Sequence, residues 1–306
     1  MSVLVTGATG RHGGTGAYVV RRLREHGIPV RALVRRRDER SERVAELGAE
    51  IVVGDLHDYR SLVPALEGVS ATYFAYPVDT GILPAASHYA EAVREVGGAL
   101  RTVVMSMGPA TQRHPSHLGR SQWLAEQILQ WAGLDLTIVR VAAVFHENLP
   151  ILSGRSVRAE GVIRSCFGTG PVGWINALDA AELCVTALLR PERFAGAVAH
   201  YVPGTELFDH NGVAKILGGI LDRTVEFEPV SREAWQQELT ELAATPDAGM
   251  MNPDMARHIS ACGHAVAEGL ERQHFNPTDT EAFRRITGRA PISLHSYLAA
   301  TADLYR

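Results

Sequence analysis

The chain has 306 residues, 46% hydrophobic and 21% charged, which is enough apolar material for one large or two modest cores and excludes disordered and fibrous classes. Its 30 basic and 34 acidic side chains leave a formal charge of −4, without the basic excess that a phosphate backbone demands, so nucleic acid is not an expected partner. Cys166, Cys184 and Cys262 lie far apart with no metal-ligand spacing, and no apolar run approaches the roughly 20 residues of a membrane span; no disulfide framework, metal or membrane partner is expected, and the expected location is cytoplasmic.

Val3 to Thr6 are a short β-rich run, followed by Gly7-Ala8-Thr9-Gly10-Arg11-His12-Gly13-Gly14 and then by Ala17, Val19, Val20 and Leu23 at mixed helical spacing. That order predicts strand, glycine turn and helix. Gly27 stops the helix, and Val30 to Val34 make a second strand running into Arg35-Arg36-Arg37. A polar helix through Ala49, a strand at Ile51 to Val53 closed by Gly54-Asp55, a helix around Leu62 to Leu66 and a strand at Ala71 to Ala75 repeat the pattern. A helix from about Ser87 to Glu95 leads into the strand Thr102 to Ser106, and another from about Ser121 to Trp131 leads into the strand Asp135 to Arg140.

Strands alternating with helices in this way predict an α/β fold with a doubly wound parallel Rossmann sheet over residues 1–150. From 151 to 306 the rhythm changes and predicts a smaller, mostly helical C-terminal substrate-binding lobe, with about 172–202 packing back on the first domain. Within it, Asp179 is expected to cap an Ala/Leu-rich helix, a strand is expected near Val198 to Val202, and Asp209 is expected to cap the run to Leu221. Thr278-Asp-Thr-Glu281 reads as a capping box before Phe283.

The spacing Gly7-x-x-Gly10-x-x-Gly13 sits immediately after a strand and opens a helix in the first βαβ unit. There the first glycine permits a tight turn, the second lets backbone N–H groups approach a pyrophosphate, and the third brings helix and strand close. Gly7, Thr9, Gly10, Arg11, His12 and Gly13 are therefore candidate dinucleotide contacts. About 20 residues on, where an NAD enzyme offers an acid to the ribose 2′-hydroxyl, this chain offers Arg35, which argues for NADP(H) over NAD(H); the alternative is a solvated arginine loop paired with Asp38 and Glu39. Strand order places Asp55 and Leu56 beside the adenine, and Ala75, Tyr76 and Pro77 beside the inner ribose and nicotinamide.

These residues resemble the short-chain dehydrogenase/reductase superfamily, and more closely its atypical NmrA-like branch of NAD(P)-binding proteins. The resemblance covers nearly the whole chain and rests on Val5-Thr-Gly-Ala-Thr-Gly10, Arg31-Ala-Leu-Val-Arg35, Gly54-Asp55-Leu56, Leu134-Asp-Leu-Thr-Ile-Val-Arg140 with Phe145-His-Glu-Asn-Leu149, and Phe283-Arg-Arg-Ile-Thr-Gly288. Reductases of the superfamily use a Ser, a Tyr and a Lys four residues after the Tyr. Here Gly108, Leu118 and Gln122 occupy those positions. Tyr-x-x-x-Lys occurs nowhere, because the sole lysine, Lys215, has Asn211 at that spacing.

Proton affinity bounds the chemistry that remains. Hydride delivery to an unactivated ketone creates an alkoxide about as basic as hydroxide, about 15.7, whereas a hydroquinone oxygen resembles a phenol near about 10. The difference of roughly 6 units is roughly 8 kcal/mol of proton-transfer help that a ketone needs and a quinone largely does not. The expected reaction is hydride transfer from NADPH to a small quinone-like or conjugated aromatic molecule, and NmrA-like proteins include quinone reductases of this kind. Two alternatives stay open: an NAD(P)-sensing regulator with a protein partner, and a non-redox dehydratase or cyclase on the same fold.

His117 and His114 are candidate proton donors, and Asn148, in the Glu-Asn that borders the site in NmrA-like proteins, is a candidate to bond the carboxamide or the acceptor. Ser106, at a strand end, is a candidate cofactor or carbonyl contact. Phe145, His146, Phe167, Trp174 and Met250, with Met251 beside it, are candidates to line a pocket for a flat substrate, with ordinary core packing as the alternative for most.

Overall fold

The computed structural model describes residues 1–306 except 11, 99, 109, 246–248, 250 and 271–277; Arg11 and Met250, singled out above, lie outside the described residues. The chain runs β1 (Val3–Val5), α1 (Thr15–Glu25), β2 (Val30–Val34), α2 (Glu39–Glu46), β3 (Glu50–Val53), α3 (Tyr59–Leu66), β4 (Ala71–Phe74), α4 (Ile82–Glu95), β5 (Arg101–Met107), α5 (His117–Trp131) and β6 (Asp135–Ala142). It continues with β7 (Val144–Phe145), α6 (Asn148–Glu160), β8 (Val162–Ser165), β9 (Val172–Ile175), α7 (Ala177–Leu189), β10 (Ala199–Pro203), β11 (Glu206–Phe208), α8 (His210–Leu221) and β12 (Glu226–Pro229). Last come α9 (Arg232–Ala243), α10 (Pro253–Ala267), α11 (Thr280–Thr287) and α12 (Leu294–Ala300). Among the described residues no helix is long and apolar enough to cross a membrane.

The chain divides into two compact units. The first comprises residues 1–114, 118–141 and 180–202, and the second 115–117, 142–179 and 203–306, so that residues 142–150, read above with the first domain, fall in the second unit. In the first unit the sheet order is β10-β6-β5-β4-β1-β2-β3, with β1 to β6 mutually parallel. The order reverses between β1 and β4, which leaves the crevice of a doubly wound sheet at the carboxyl ends of the strands. All six expected strands are present, and the strand expected near 198–202 is β10, beside β6. One face of the sheet, with Leu4, Leu33, Phe74, Val104 and Ile138, packs on Leu62, Leu66, Tyr89, Val93 and Leu129 of the helices. Each such side chain contributes about 1.5–3 kcal/mol by leaving water. Tyr89 keeps its hydroxyl satisfied there against Thr102, at 2.7 Å.

Two helices of this unit begin a turn or more before their expected starts, and each early turn contains a residue that reads as a breaker. α4 starts at Ile82 rather than near Ser87; its Pro84 falls in the first turn, where a missing N–H costs nothing. α5 starts at His117 rather than Ser121, with Gly119 in its first turn. That glycine is dictated by packing, since a Cβ there would lie 2.2 Å from the His114 ring. α2, expected through Ala49, ends at Glu46.

The second unit adds short strands that are too brief for periodicity to register. β9 pairs with β7 in parallel and with β11 antiparallel, while β8 and β12 form a parallel pair. Two expected caps differ. α7 begins at Ala177 because the Asn176 carboxamide accepts from Leu178 N at 3.0 Å; Asp179, already inside the first turn, instead accepts from Ile292 N at 2.7 Å and pairs with Arg289 at 2.6 Å. The cap of α11 is Asp279, accepting from Ala282 N at 2.7 Å, while the Thr278 capping box is not formed and Glu281 pairs with Arg284. Asp209 caps α8 as expected, through Gly212 N.

Candidate functional site

The turn after β1 is anchored from below. Thr6 Oγ1 donates to Ala75 O at 2.8 Å and accepts from Ala75 N at 2.9 Å, tying the end of β1 to the loop after β4. Gly7, at φ +67°, leaves the strand in the left-handed region, and a Cβ there would sit 3.3 Å from Ala75 O. Gly10 N donates to Gly7 O at 2.9 Å, and a Cβ at Gly10 would be 2.9 Å from that oxygen. The role assigned to a third glycine belongs to Gly16, not Gly13. A Cβ at Gly16 would come within 2.4 Å of Gly7 O and 2.8 Å of Ala8 Cα, so Gly16 is what lets the helix press on the turn.

Gly13 and Gly14 supply positive φ angles, and α1 starts after Gly14 with no side-chain cap and no acid in its first turn. Bare first-turn amides, a positive helix end and a backbone bare of Cβ atoms suit a pyrophosphate. Thr9 and His12 are half-buried around this turn. Gly16 carries a sequence signal, a glycine nine residues after Gly7, but glycine spacing alone does not say which one makes the close contact.

Arg35 follows β2, is exposed, and makes no ion pair among the described residues. Its neighbours are engaged: Arg36 lies 3.7 Å and Arg40 2.8 Å from Asp38, and Arg37 donates to Ile51 O at 3.1 Å. Loop pairing thus accounts for Arg36 and leaves Arg35 available. After β3, Asp55 accepts from His57 N at 2.9 Å, and Leu56 is buried. After β4, Ala75 and Tyr76 are half-buried and Pro77 exposed. Tyr76 Oη lies 2.7 Å from His57 Nε2. Burial, with Asp79 and Asp55 nearby, pushes the Tyr76 phenol upward, so it remains protonated at neutral pH.

On β5, Ser106 does not present its hydroxyl proton to a ligand: it donates to Glu126 at 2.5 Å. Glu126 is fully buried and paired with Arg140, whose Nε lies 3.0 Å away; burial raises the acid's pKa against the opposing pull of Arg140 and Ser106. Leu118 is buried and Gln122 half-buried on α5, so the Tyr and Lys positions of the resemblance hold an alkyl group and an amide. His114 is 1% exposed, its ring lying over Gly119 and its carbonyl accepting from Arg120 at 2.6 Å. His117, the first residue of α5, is exposed.

In the second unit, Asn148 opens α6 and is 8% exposed. It borders a cavity of about 20 Å³ shared with Phe167, Trp174, His210 and Trp235, room for about one water and not for a substrate. Phe167 and Trp174, expected in a substrate pocket, are core here: they are 3% and 1% exposed, Phe167 meets Trp235 edge-on at 5.8 Å, and the Trp174 indole donates to Phe208 O at 3.1 Å. Met251 is buried and Phe145 half-buried.

His146 is wholly buried, its ring nitrogens making no hydrogen bond among the described residues and Glu206 lying 3.8 Å away; burial drives its pKa down to about 3, so it is neutral. It offers no surface to a ligand. Glu147, which the sequence offers only as the neighbour of Asn148 in the Glu-Asn pair and gives no role, accepts from Asn176 Nδ2 at 2.7 Å and Ala177 N at 2.9 Å and is pushed by burial up to about 7. Its partners lie some 30 residues away, and nothing local announces them.

The sequence pattern of the NmrA-like family matches residues 1–283. The NAD(P)H azoreductase of Xenophilus azovorans is 31% identical over 241 residues, 78% of this chain and 80% of that one. Among solved structures, the Citrobacter triphenylmethane reductase complexed with NADP(H) superposes with a TM-score of 0.78 at 21% identity, covering 98% of this chain and 100% of that one. The NADPH-dependent quinone oxidoreductase of Escherichia coli gives 0.75 at 18%, covering 98% and 99%. With the family pattern spanning the glycine turn, the parallel sheet and most of the second unit, the chain belongs to the NmrA-like family.

Proposed function

We propose that this protein is an NAD(P)H-dependent reductase that favours NADP(H) and reduces a quinone-like or conjugated aromatic acceptor. The observation that carries the cofactor half is the cradle after β1, where Gly7, Gly10 and Gly16 leave backbone bare beside an uncapped helix start, followed by an exposed Arg35 just after β2. When bound, a reduced nicotinamide supplies the hydride. The turn amides hold the pyrophosphate, and the Arg35 guanidinium suits a 2′-phosphate, which it can grip with two parallel hydrogen bonds.

The acceptor half is supported by the lack of the Tyr and Lys pair and by relatives named for azo, quinone and triphenylmethane reduction. Acceptors of these kinds take up hydride without creating a strongly basic alkoxide, because the charge is delocalised or, for a cationic dye, neutralised, so the alkyl and amide groups of Leu118 and Gln122 suffice where a ketone would need an acid. In this reading Asn148 orients the acceptor, and the last proton comes from the exposed His117 or from water; His114, buried over Gly119, has a lesser part.

NADPH fluorescence with purified protein, followed during addition of quinones, azo dyes and simple aromatic ketones, tests this. Loss of signal with the first two classes but not the third is the expected result. A bound, enhanced signal that no acceptor depletes would overturn turnover and leave a dinucleotide-binding protein without it. Unchanged turnover in both His117→Ala and Asn148→Ala would remove those two residues from the mechanism.

A further inference from the structure

We propose that His57 and Tyr76 form a clasp that closes over the adenosine half of the bound dinucleotide and slows its release. The inference rests on the cofactor assignment above and changes one part of it: Tyr76, expected beside the inner ribose and nicotinamide, is bonded to His57 in the loop after β3, on the adenosine side. The His57 Nε2 to Tyr76 Oη contact is 2.7 Å, with the two rings within 9° of parallel and their centroids 5.7 Å apart.

The sheet topology gives this contact its meaning. His57 follows β3 and Tyr76 follows β4, and between those strands in the sheet lie β2 and β1, all parallel and ending on the same edge. The glycine turn leaves β1 at that edge and Arg35 leaves β2. The hydrogen bond therefore joins the two loops that flank the proposed pyrophosphate and 2′-phosphate contacts.

The local structure is built around the pair. A Cβ on Gly81 would lie 2.3 Å from Tyr76 Oη and 2.8 Å from His57 Cε1, so only glycine leaves the rings room to meet. Gly81 is in turn held by its N–H donating to Asp79 Oδ1 at 2.7 Å. Asp55 fixes the other side by accepting from His57 N. His57 is exposed and Tyr76 only half-buried, so a hydrogen bond between them adds little to folding. A contact of small structural value that is nonetheless given a reserved space, two flanking carboxylates and a position across the crevice edge fits a part that acts on a ligand.

The experiment uses the full chain and two changes, Tyr76→Phe, which keeps the ring, and His57→Ala, which removes it. NADPH release is followed by stopped-flow fluorescence on displacement with excess NADP⁺, and calorimetry measures 2′,5′-ADP and reduced nicotinamide mononucleotide separately. Each variant should release NADPH about fivefold faster, the scale of one hydrogen bond. The double variant should be no faster than either single one, since both break the same contact. 2′,5′-ADP should weaken by a similar factor while the mononucleotide is unaffected. Equal release rates in wild type and both variants would overturn the clasp while leaving the cofactor assignment standing. Failure of the wild-type protein to bind NADPH or 2′,5′-ADP at all would overturn the cofactor assignment, and the clasp with it.

Discussion

Gly16 lies beneath the carbonyl of Gly7 so closely that a Cβ at Gly16 would come within 2.4 Å of Gly7 O. The opposing atom is backbone, so no rotamer change relieves the clash, and the turn itself must move. Gly16→Ala should cost about 1–3 kcal/mol of stability and weaken NADPH binding by about tenfold or more, as the displaced turn amides lose the pyrophosphate. Gly14→Ala is the control: nothing lies within 4 Å of its Cβ, but its φ of +66° makes a side chain strained by about 1–2 kcal/mol. Thermal unfolding with calorimetric titration separates the two; equal binding in Gly16→Ala and wild type would refute the role given to Gly16.

Arg35→Ala should raise the Kd for NADPH about tenfold or more and leave NADH within about twofold, because a charge-assisted hydrogen bond to a 2′-phosphate is worth about 1.5–3 kcal/mol and NADH has no such group. Arg36→Ala, which removes a partner of Asp38 instead, should change neither. Parallel titrations with the two cofactors decide it. An equal effect of Arg35→Ala on both would show general electrostatic attraction and not recognition of the phosphate.

Trp174 is packed as core, so its loss should appear in stability and not in substrate kinetics. Trp174→Ala is expected to cost about 3–5 kcal/mol, partly through loss of the indole N–H that Phe208 O accepts. Trp174→Phe keeps most of the volume and should stay folded with KM for an accepted quinone unchanged. A large KM change in folded Trp174→Phe would return this residue to the acceptor pocket.

His146 and Glu147 give the second unit opposite pH dependences. His146 has its folded pKa lowered from 6.5 to about 3 by burial, so its contribution is complete above 6.5 and is lost as pH falls from there toward 3. Glu147 has its pKa raised from 4.5 to about 7, so its contribution is complete below 4.5 and is lost as pH rises through 7, by at most about 3 kcal/mol. Denaturation midpoints between pH 5 and 8 should show Glu147→Gln removing the decline on the alkaline side, and His146→Phe removing the decline below 6.5. Unchanged pH profiles in both variants would count against the burial assigned to them.

The first unit was legible because its information is local. Alternating apolar runs and helical spacings marked β1 to β6 in order, and the glycine turn between β1 and α1 announced an anion site from residue types alone. Even there, boundaries slipped where one residue carried two meanings: Gly119 reads as a breaker but is a packing glycine against His114, and Pro84 reads as an interruption but sits harmlessly in a first turn. Arg35 was identifiable by distance from the turn, while its freedom from the neighbouring carboxylate depended on Arg36 and Arg40 taking that role.

The order of strands and helices, the position of the glycine turn, the arginine after β2 and the lack of a Tyr/Lys pair can all be read from the chain, because each is a matter of residue type and near spacing. That Gly16 makes the close approach, that Ser106 spends its proton on Glu126, that Asn176 and not Asp179 caps α7, and that Phe167 and Trp174 are core are visible in the folded chain alone. The same holds for Glu147 gripping Asn176 and for His57 meeting Tyr76. A hydroxyl, a carboxylate or an aromatic ring has the same local signature whether it faces a ligand or a neighbour. Which it faces is set by partners brought close by the sheet order and the packing of helices, and that proximity is absent from the linear pattern.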